Sequence, residues 1–123
     1  MTQPLALVFY ERLMPGSQLV NRLQDLKYRV LAVNNAALLT ALVKRERPLL
    51  LLADFSAKGD VRAAIAEIKA DPATTHLPVI VFAPDNEPGR LETARQAGAD
   101  FTVAESALSS HLPQLLDRAL HVE

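Results

Sequence analysis

Short continuous apolar runs alternate along the chain with segments in which apolar residues recur every three or four positions. Runs of this length predict β-strands, and they cover residues 5–10, 28–33, 49–54, 79–83 and 101–104. The segments between and after them have helical spacing. This alternation predicts an α/β fold in which a parallel sheet carries helices on both faces, the doubly wound arrangement.

Capping and helix-breaking residues set the expected helix boundaries. For the second helix we predict Asn34 or Asn35 as the cap. Its buried stripe is expected to be Ala37, Leu38, Ala41 and Leu42. The last helix is expected to begin near Ser109 or Ser110, because Pro113 is tolerated only in a first turn. Its apolar stripe is wide enough that part of it is a candidate partner contact. That stripe comprises Leu112, Leu115, Leu116, Ala119 and Leu120.

The third run, residues 49–54, has four leucines and an alanine and ends in Asp54. A run without polar alternation suits a strand that is buried on both faces of a parallel sheet. Its final residue then emerges at the carboxyl edge of the sheet, where open parallel sheets bind ligands. Asp54 is therefore the first candidate site residue, and Glu11 is a second acid at a strand end. The alternative is that Asp54 is a loop aspartate that caps a turn.

Composition limits the class of protein. The chain has 123 residues, 50% of them apolar, and we expect one domain over residues 1–123. Thirteen basic and 14 acidic residues leave a net charge of −1, which gives no indication of a nucleic-acid or membrane surface. Cysteine is absent, and no targeting segment is evident at the amino terminus, so a cytoplasmic location is expected.

Other candidate chemistry is weak. His76, His111 and His121 have no ligand spacing to one another or to a carboxylate cluster, so solvent-exposed side chains are expected. No glycine-rich phosphate loop follows the first strand, because Pro15, Gly16 and Ser17 suit a helix start. A nucleotide or flavin site is therefore disfavoured.

Several stretches match one known family in register. They are Arg47 with Pro48 before the leucine run, Asp54 at its end, Tyr28 with Val30, residues 70–73, residues 77–81, and Gly98 with Ala99 and Asp100. Together they resemble the receiver domain of bacterial response regulators, a flavodoxin-like (βα)5 module that histidine kinases phosphorylate on an aspartate. The resemblance implies the strand order 2-1-3-4-5, with Glu11 and Asp54 adjacent at the carboxyl edge of the sheet.

The same resemblance assigns roles to three positions. Asp54 takes the phosphoacceptor position, and Glu11 takes the position of a direct magnesium ligand. The backbone carbonyl of Ser56 takes the position that completes the metal site. Since the first acid of the family's pair is Tyr10 here, any magnesium is expected to bind weakly.

The positions that transmit phosphorylation in the family have changed, which is typical of a degenerate receiver, or pseudo-receiver. Ala83 replaces the hydroxyl residue, Thr102 the aromatic residue, Glu105 the lysine and Ser106 the proline. A phosphoryl group on Asp54 with magnesium, Glu11 and Glu105 gives a site charge of about −2, against about −1 for the family's two acids and lysine. Glu105 therefore disfavours the phosphorylated state.

Three hypotheses from different classes follow. We favour a stand-alone, non-enzymatic receiver-like module that binds a signalling protein with little or no phosphorylation-dependent switching. Its expected partner is a histidine kinase or a downstream protein, and a homodimer through the fourth and fifth helices is a further candidate. The alternative is a working phosphorelay receiver phosphorylated on Asp54 with magnesium. A flavodoxin-like enzyme or nucleotide binder is disfavoured, because no loop supplies the needed donors.

Overall fold

The strands and helices alternate throughout, as the apolar pattern predicts. The computed structural model describes residues 5–10, 13–33, 35, 38–55, 61–83 and 88–120. The elements are β1 (Leu5–Phe9), α1 (Leu13–Asp25), β2 (Arg29–Val33), α2 (Leu39–Glu46), β3 (Leu50–Asp54), α3 (Val61–Ala70), β4 (Val79–Ala83), α4 (Pro88–Ala97), β5 (Phe101–Ala104) and α5 (Glu105–Leu120).

The strands form one parallel sheet in the order β2-β1-β3-β4-β5, which confirms the predicted flavodoxin-like topology. β3 lies at its centre, with Phe9 of β1 opposite Ala53 and Phe82 of β4 opposite Asp54. The carboxyl ends of β1, β3 and β4 therefore meet at one edge.

The core has two layers because side chains alternate across the sheet. β3 and β4 are buried along their whole length. Leu51 and Val81 face a cluster formed with α2, α3 and α4, whereas Leu52 and Phe82 face a cluster formed with α1 and α5. Helices therefore cover both faces, and this explains why the leucine run shows no polar alternation.

The predicted stripe of α2 is shifted by one position, although Leu42 is half-buried and packs against the core as predicted. Leu39 and Val43 are the buried residues of the helix, while Leu38 is 50% exposed and Ala41 is exposed. Leu38 is the N-cap and has no side-chain capping bond; its backbone N–H donates instead to the carbonyl of Asn35 at 3.0 Å. The helix therefore begins later than an asparagine cap would place it. Asn34 and Ala37 lie outside the described residues.

The predicted start of α5 is also wrong. The helix begins at Glu105, directly after β5, and His111 has non-helical angles (φ −125°, ψ 23°) that divide it into two pieces. Pro113 has no N–H and its ring crowds the preceding turn, so the break just before it is expected. The proline thus lies in the first turn of the second piece. The four residues before Ser109 are helical rather than a loop.

The amino edge of the sheet, opposite Asp54, is held together around Lys69. Its ammonium group donates to the carbonyl of Leu77 at 2.6 Å and to Oδ2 of Asp100 at 2.7 Å. The same carboxylate oxygen accepts the backbone N–H of Val79 at 2.8 Å. Gly98 has φ +119°, and a Cβ there would lie 2.9 Å from Cγ of Lys69. This network joins the end of α3, the start of β4 and the α4–β5 turn.

Among the described residues, none of the helices combines the length and apolar character needed to cross a membrane.

Candidate functional site

Asp54 is the last residue of β3 and the centre of the candidate site. It is 0% exposed, in a sheet whose other buried residues are apolar. No buried side-chain oxygen or nitrogen in the described part of the chain lacks a hydrogen-bond partner. Hydrogen bonds therefore offset the cost of burying the Asp54 carboxylate. The next residue, Phe55, donates its N–H to the carbonyl of Phe82 at 2.9 Å, which fixes the backbone just past the acid.

Tyr10 and Ala83 flank Asp54 on the two neighbouring strands. Tyr10 follows β1, donates its N–H to the carbonyl of Val33 at 2.9 Å, and packs with the cluster under α1 and α5. Ala83 ends β4 and is 0% exposed. The structure therefore brings both sequence-predicted positions to the edge where Asp54 lies.

Thr102, Glu105 and Ser106 belong to the far side of the same edge. Thr102 lies opposite Val81 in the sheet and is half-buried. Glu105 follows Ala104, the partner of Ala83, and is half-buried with an interaction of its own, so it does not extend freely into solvent. Ser106 is exposed in the first turn of α5.

Glu11 and Ser56 lie outside the described residues. Their proximity to Asp54 stays a prediction. The pairing of Phe9 with Ala53 supports it for Glu11, because it places the residues that follow β1 beside the end of β3.

Arg90 is a residue of this edge that the sequence did not reveal. It lies in the first turn of α4, and its Nη1 donates to the backbone carbonyl of Phe55 at 3.1 Å. A cation early in the helix after β4 is the only sequence signal. That signal is weak, because the acceptor is a backbone oxygen 35 residues away along the chain. The edge therefore carries a positive charge that a count of the family positions omits.

The described residues contain little other candidate chemistry. No group of three or more His, Asp or Glu residues in that part of the chain could hold a metal ion. His76 and His111 are exposed, as expected, and His121 lies outside the described residues.

A surface hollow of about 340 Å³ lies at the opposite, amino edge. Lys44 and Arg47 contribute to its wall. The hydrogen bond from Lys44 to Asp71, 2.9 Å long, lowers the pKa of Asp71 and raises that of Lys44. The hollow is remote from Asp54 and occupies the negative end of the α2 dipole, which does not favour anions.

The fold and the position of Asp54 can be compared with those of known proteins. No family model matches the sequence, and no curated protein matches it either. A solved structure of a protein assigned as a response regulator in Chloroflexus aurantiacus is similar, with a TM-score of 0.90 at 16% identity over 98% of this chain and 100% of the other.

Two further solved structures agree. The receiver domain of the sensor histidine kinase PA1611 from Pseudomonas aeruginosa has a TM-score of 0.88 at 22% identity, covering 98% of this chain and 100% of its own, with a magnesium ion in its active-site cleft. The chemotaxis response regulator CheY4 of Vibrio cholerae has a TM-score of 0.82 at 15% identity, over 97% of this chain and 100% of the other. The chain therefore has the fold of response regulator receiver domains, with Asp54 at the carboxyl edge of its central strand.

Proposed function

We propose that this protein is a receiver-like, non-enzymatic signalling module that binds a protein partner with little or no dependence on phosphorylation. The observation that carries the proposal is Ala83, whose methyl group is fully buried in the core at the end of β4. The family has a hydroxyl residue there. Thr102 and Glu105 replace two further transmitting residues, and we place the module in the cytoplasm.

The physical reason concerns how a switch works. Phosphorylation shifts a conformational equilibrium only if the phosphate interacts better with one conformation than with the other. A buried methyl group at Ala83 offers no hydrogen bond to a phosphate, and the carboxylate at Glu105 repels one. The two conformations would then differ little in their affinity for the phosphorylated aspartate.

A partner surface formed by α4, β5 and α5 remains part of the proposal, but we now expect it to be polar rather than apolar. The leucines of α5 at positions 108, 112, 115 and 116 are in the core. A protein partner, or a second copy of the chain, would therefore contact the exposed and mostly polar side of these helices. Arg118 of α5, which lies 5.9 Å from the ring centre of Phe101, belongs to this region.

A working phosphorelay receiver is the second candidate, and Arg90 favours it. Its guanidinium group binds the carbonyl of the residue after Asp54 and is suited to pair with a phosphoryl group at this edge.

The principal test titrates a partner, recovered by pull-down, against wild type and Asp54→Asn. The expected result is a dissociation constant unchanged within about twofold, because a partner that does not depend on phosphorylation does not depend on the acid that would carry the phosphoryl group. If Asp54→Asn abolishes binding or signalling in cells while the fold stays intact, Asp54 is a live phosphoacceptor and the proposal is wrong.

A restored variant, Ala83→Thr with Glu105→Lys, provides the complementary test. If these positions silence the switch, only this variant should gain a phosphodonor-dependent change in partner affinity. Ala83 is fully buried, so adding a hydroxyl and a methyl group there should cost about 1–3 kcal/mol. Ala83→Ser with Glu105→Lys is the milder alternative, and unfolding curves of both variants should precede the binding measurement.

Magnesium binding should be weak. Of the three expected ligands, only Asp54 lies within the described residues, and the expected set adds Glu11 and the Ser56 carbonyl. Three protein oxygens suit magnesium, which keeps several waters, but a site without the acid at Tyr10 should bind it less tightly than a full receiver site. Calorimetric titration should therefore give a millimolar or weaker dissociation constant. Micromolar binding that survives Glu11→Ala would place the ion elsewhere.

A further inference from the structure

Arg90 bridges two elements at the carboxyl edge of the sheet. Its backbone belongs to the first turn of α4, and its guanidinium group contacts the backbone carbonyl that immediately follows Asp54. Phe55 is itself 7% exposed and bonded through its N–H to the carbonyl of Phe82. The acceptor is therefore on a fixed part of the backbone, so the contact constrains the arginine.

This contact brings the positive charge to the chain segment that directly follows Asp54. The acceptor is the carbonyl of the next residue, so the guanidinium group lies at the same end of β3 as the acid. A guanidinium group carries five N–H donors in a planar fork, and it can therefore hold a backbone carbonyl and an oxyanion together. A lysine ammonium group has no such planar geometry.

The charge of Arg90 matters because of the other charged groups at this edge. Glu105 occupies the place at the end of β5 where the family has its lysine, and it adds a negative charge to the edge. Arg90 approaches from α4, on the other side of β4, and it offsets that charge. With Arg90 included, the site carrying a phosphoryl group and magnesium has a charge of about −1, which equals the family value.

We propose that Arg90 is the anion-binding residue of this edge and holds a phosphoryl-type group carried on the carboxylate of Asp54. This goes beyond the proposed function, which requires no anion at Asp54. When the group comes from a small phosphodonor, an oxygen of Asp54 forms the new bond to phosphorus, and the leaving oxygen of the donor keeps the electron pair of the bond that breaks. Arg90 then donates N–H bonds to the phosphoryl oxygens.

The test uses beryllium trifluoride, a phosphoryl analogue that binds carboxylates, in the presence of magnesium. Its affinity is measured by following backbone amide signals in NMR titrations of the whole chain. Arg90→Gln should weaken binding on the order of tenfold or more, because it keeps a donor for Phe55 but removes the charge. Arg90→Lys should lose less, since it keeps the charge without the fork.

Arg95→Ala is the matched control on the same helix. Arg95 is bonded to Glu92 at 2.6 Å, and that hydrogen bond lowers the pKa of Glu92, so its charge is used within α4. Its removal should leave the affinity for beryllium trifluoride unchanged. Spectra without the ion will show that each variant is folded, and Arg90→Ala provides a second removal of the charge.

Two results would overturn the inference. One is wild-type protein that does not bind beryllium trifluoride, and the other is an Arg90→Gln variant that binds it as tightly as wild type. Neither result bears on the proposed function, which depends on partner binding by Asp54→Asn. Conversely, loss of partner binding in that variant would refute the proposed function and leave the role of Arg90 intact.

Discussion

Replacing Asp100 by alanine should lower the free energy of unfolding by about 2–3 kcal/mol. One oxygen of this carboxylate accepts both the ammonium group of Lys69 at 2.7 Å and the N–H of Val79 at 2.8 Å. The side chain of Lys69 is only 15% exposed, so the variant leaves a nearly buried cation without its counter-ion. Asp100 is 40% exposed, and solvent screening keeps the loss below that of a fully buried pair.

Urea denaturation followed by circular dichroism measures this loss. Asp25→Ala, at the exposed end of α1, removes the same chemical group and should change stability by less than about 0.5 kcal/mol. Lys69→Met and the double variant complete a cycle, in which the pair should show a coupling of about 1 kcal/mol or more. An Asp100→Ala protein as stable as wild type would show that the carboxylate does not hold this edge together.

This network also explains why the resemblance to receivers predicted the fold better than the site. Gly98 and Asp100, which carry part of the resemblance, lie at the amino edge of the sheet, opposite Asp54. They fix the α4–β5 turn against α3, and Gly98 has both a positive φ and a close contact with Lys69. Such residues specify a frame. They contain no information about whether Asp54 is phosphorylated.

Strands were more predictable than helix ends. β4 and β5 have the predicted bounds, because each apolar run follows a proline or glycine segment that interrupts the helical spacing. The start of α2 was missed because its N-cap residue is Leu38, an apolar residue that makes no side-chain capping bond. The early start of α5 was missed because Pro113 marks a kink inside the helix, not its beginning.

Part of the candidate site was predictable from the sequence and part was not. A long apolar run ending in an acid was sufficient to place Asp54 at the carboxyl edge, since the geometry of parallel strands determines that position. Arg90 could not be found, because its contact to the carbonyl of Phe55 depends on how α4 packs against β4, β5 and α3, and this packing leaves no mark in sequence spacing. Contacts from side chain to backbone across elements are a property of tertiary packing alone.

A second large loss of stability is expected when a leucine of the α5 stripe is shortened. Leu112→Ala should lower the free energy of unfolding by about 3 kcal/mol, because the side chain is 1% exposed and lies in the cluster between α5 and the sheet. Its removal leaves a cavity in this cluster, whose cost adds to the lost transfer free energy of the side chain. The same stripe, viewed in sequence alone, is wide enough to suggest a partner surface.

The stability of this variant therefore distinguishes a core role of the leucine stripe from an interface role. Gln114→Ala, on the exposed side of the same helix, is the matched control and should change stability by less than about 0.5 kcal/mol. If Leu112 belongs to the core, its variant loses stability in urea whether or not a partner is present. If Leu112→Ala instead unfolds like wild type but binds its partner less tightly, the leucine stripe is the interface, and the partner contacts apolar rather than polar residues of α5.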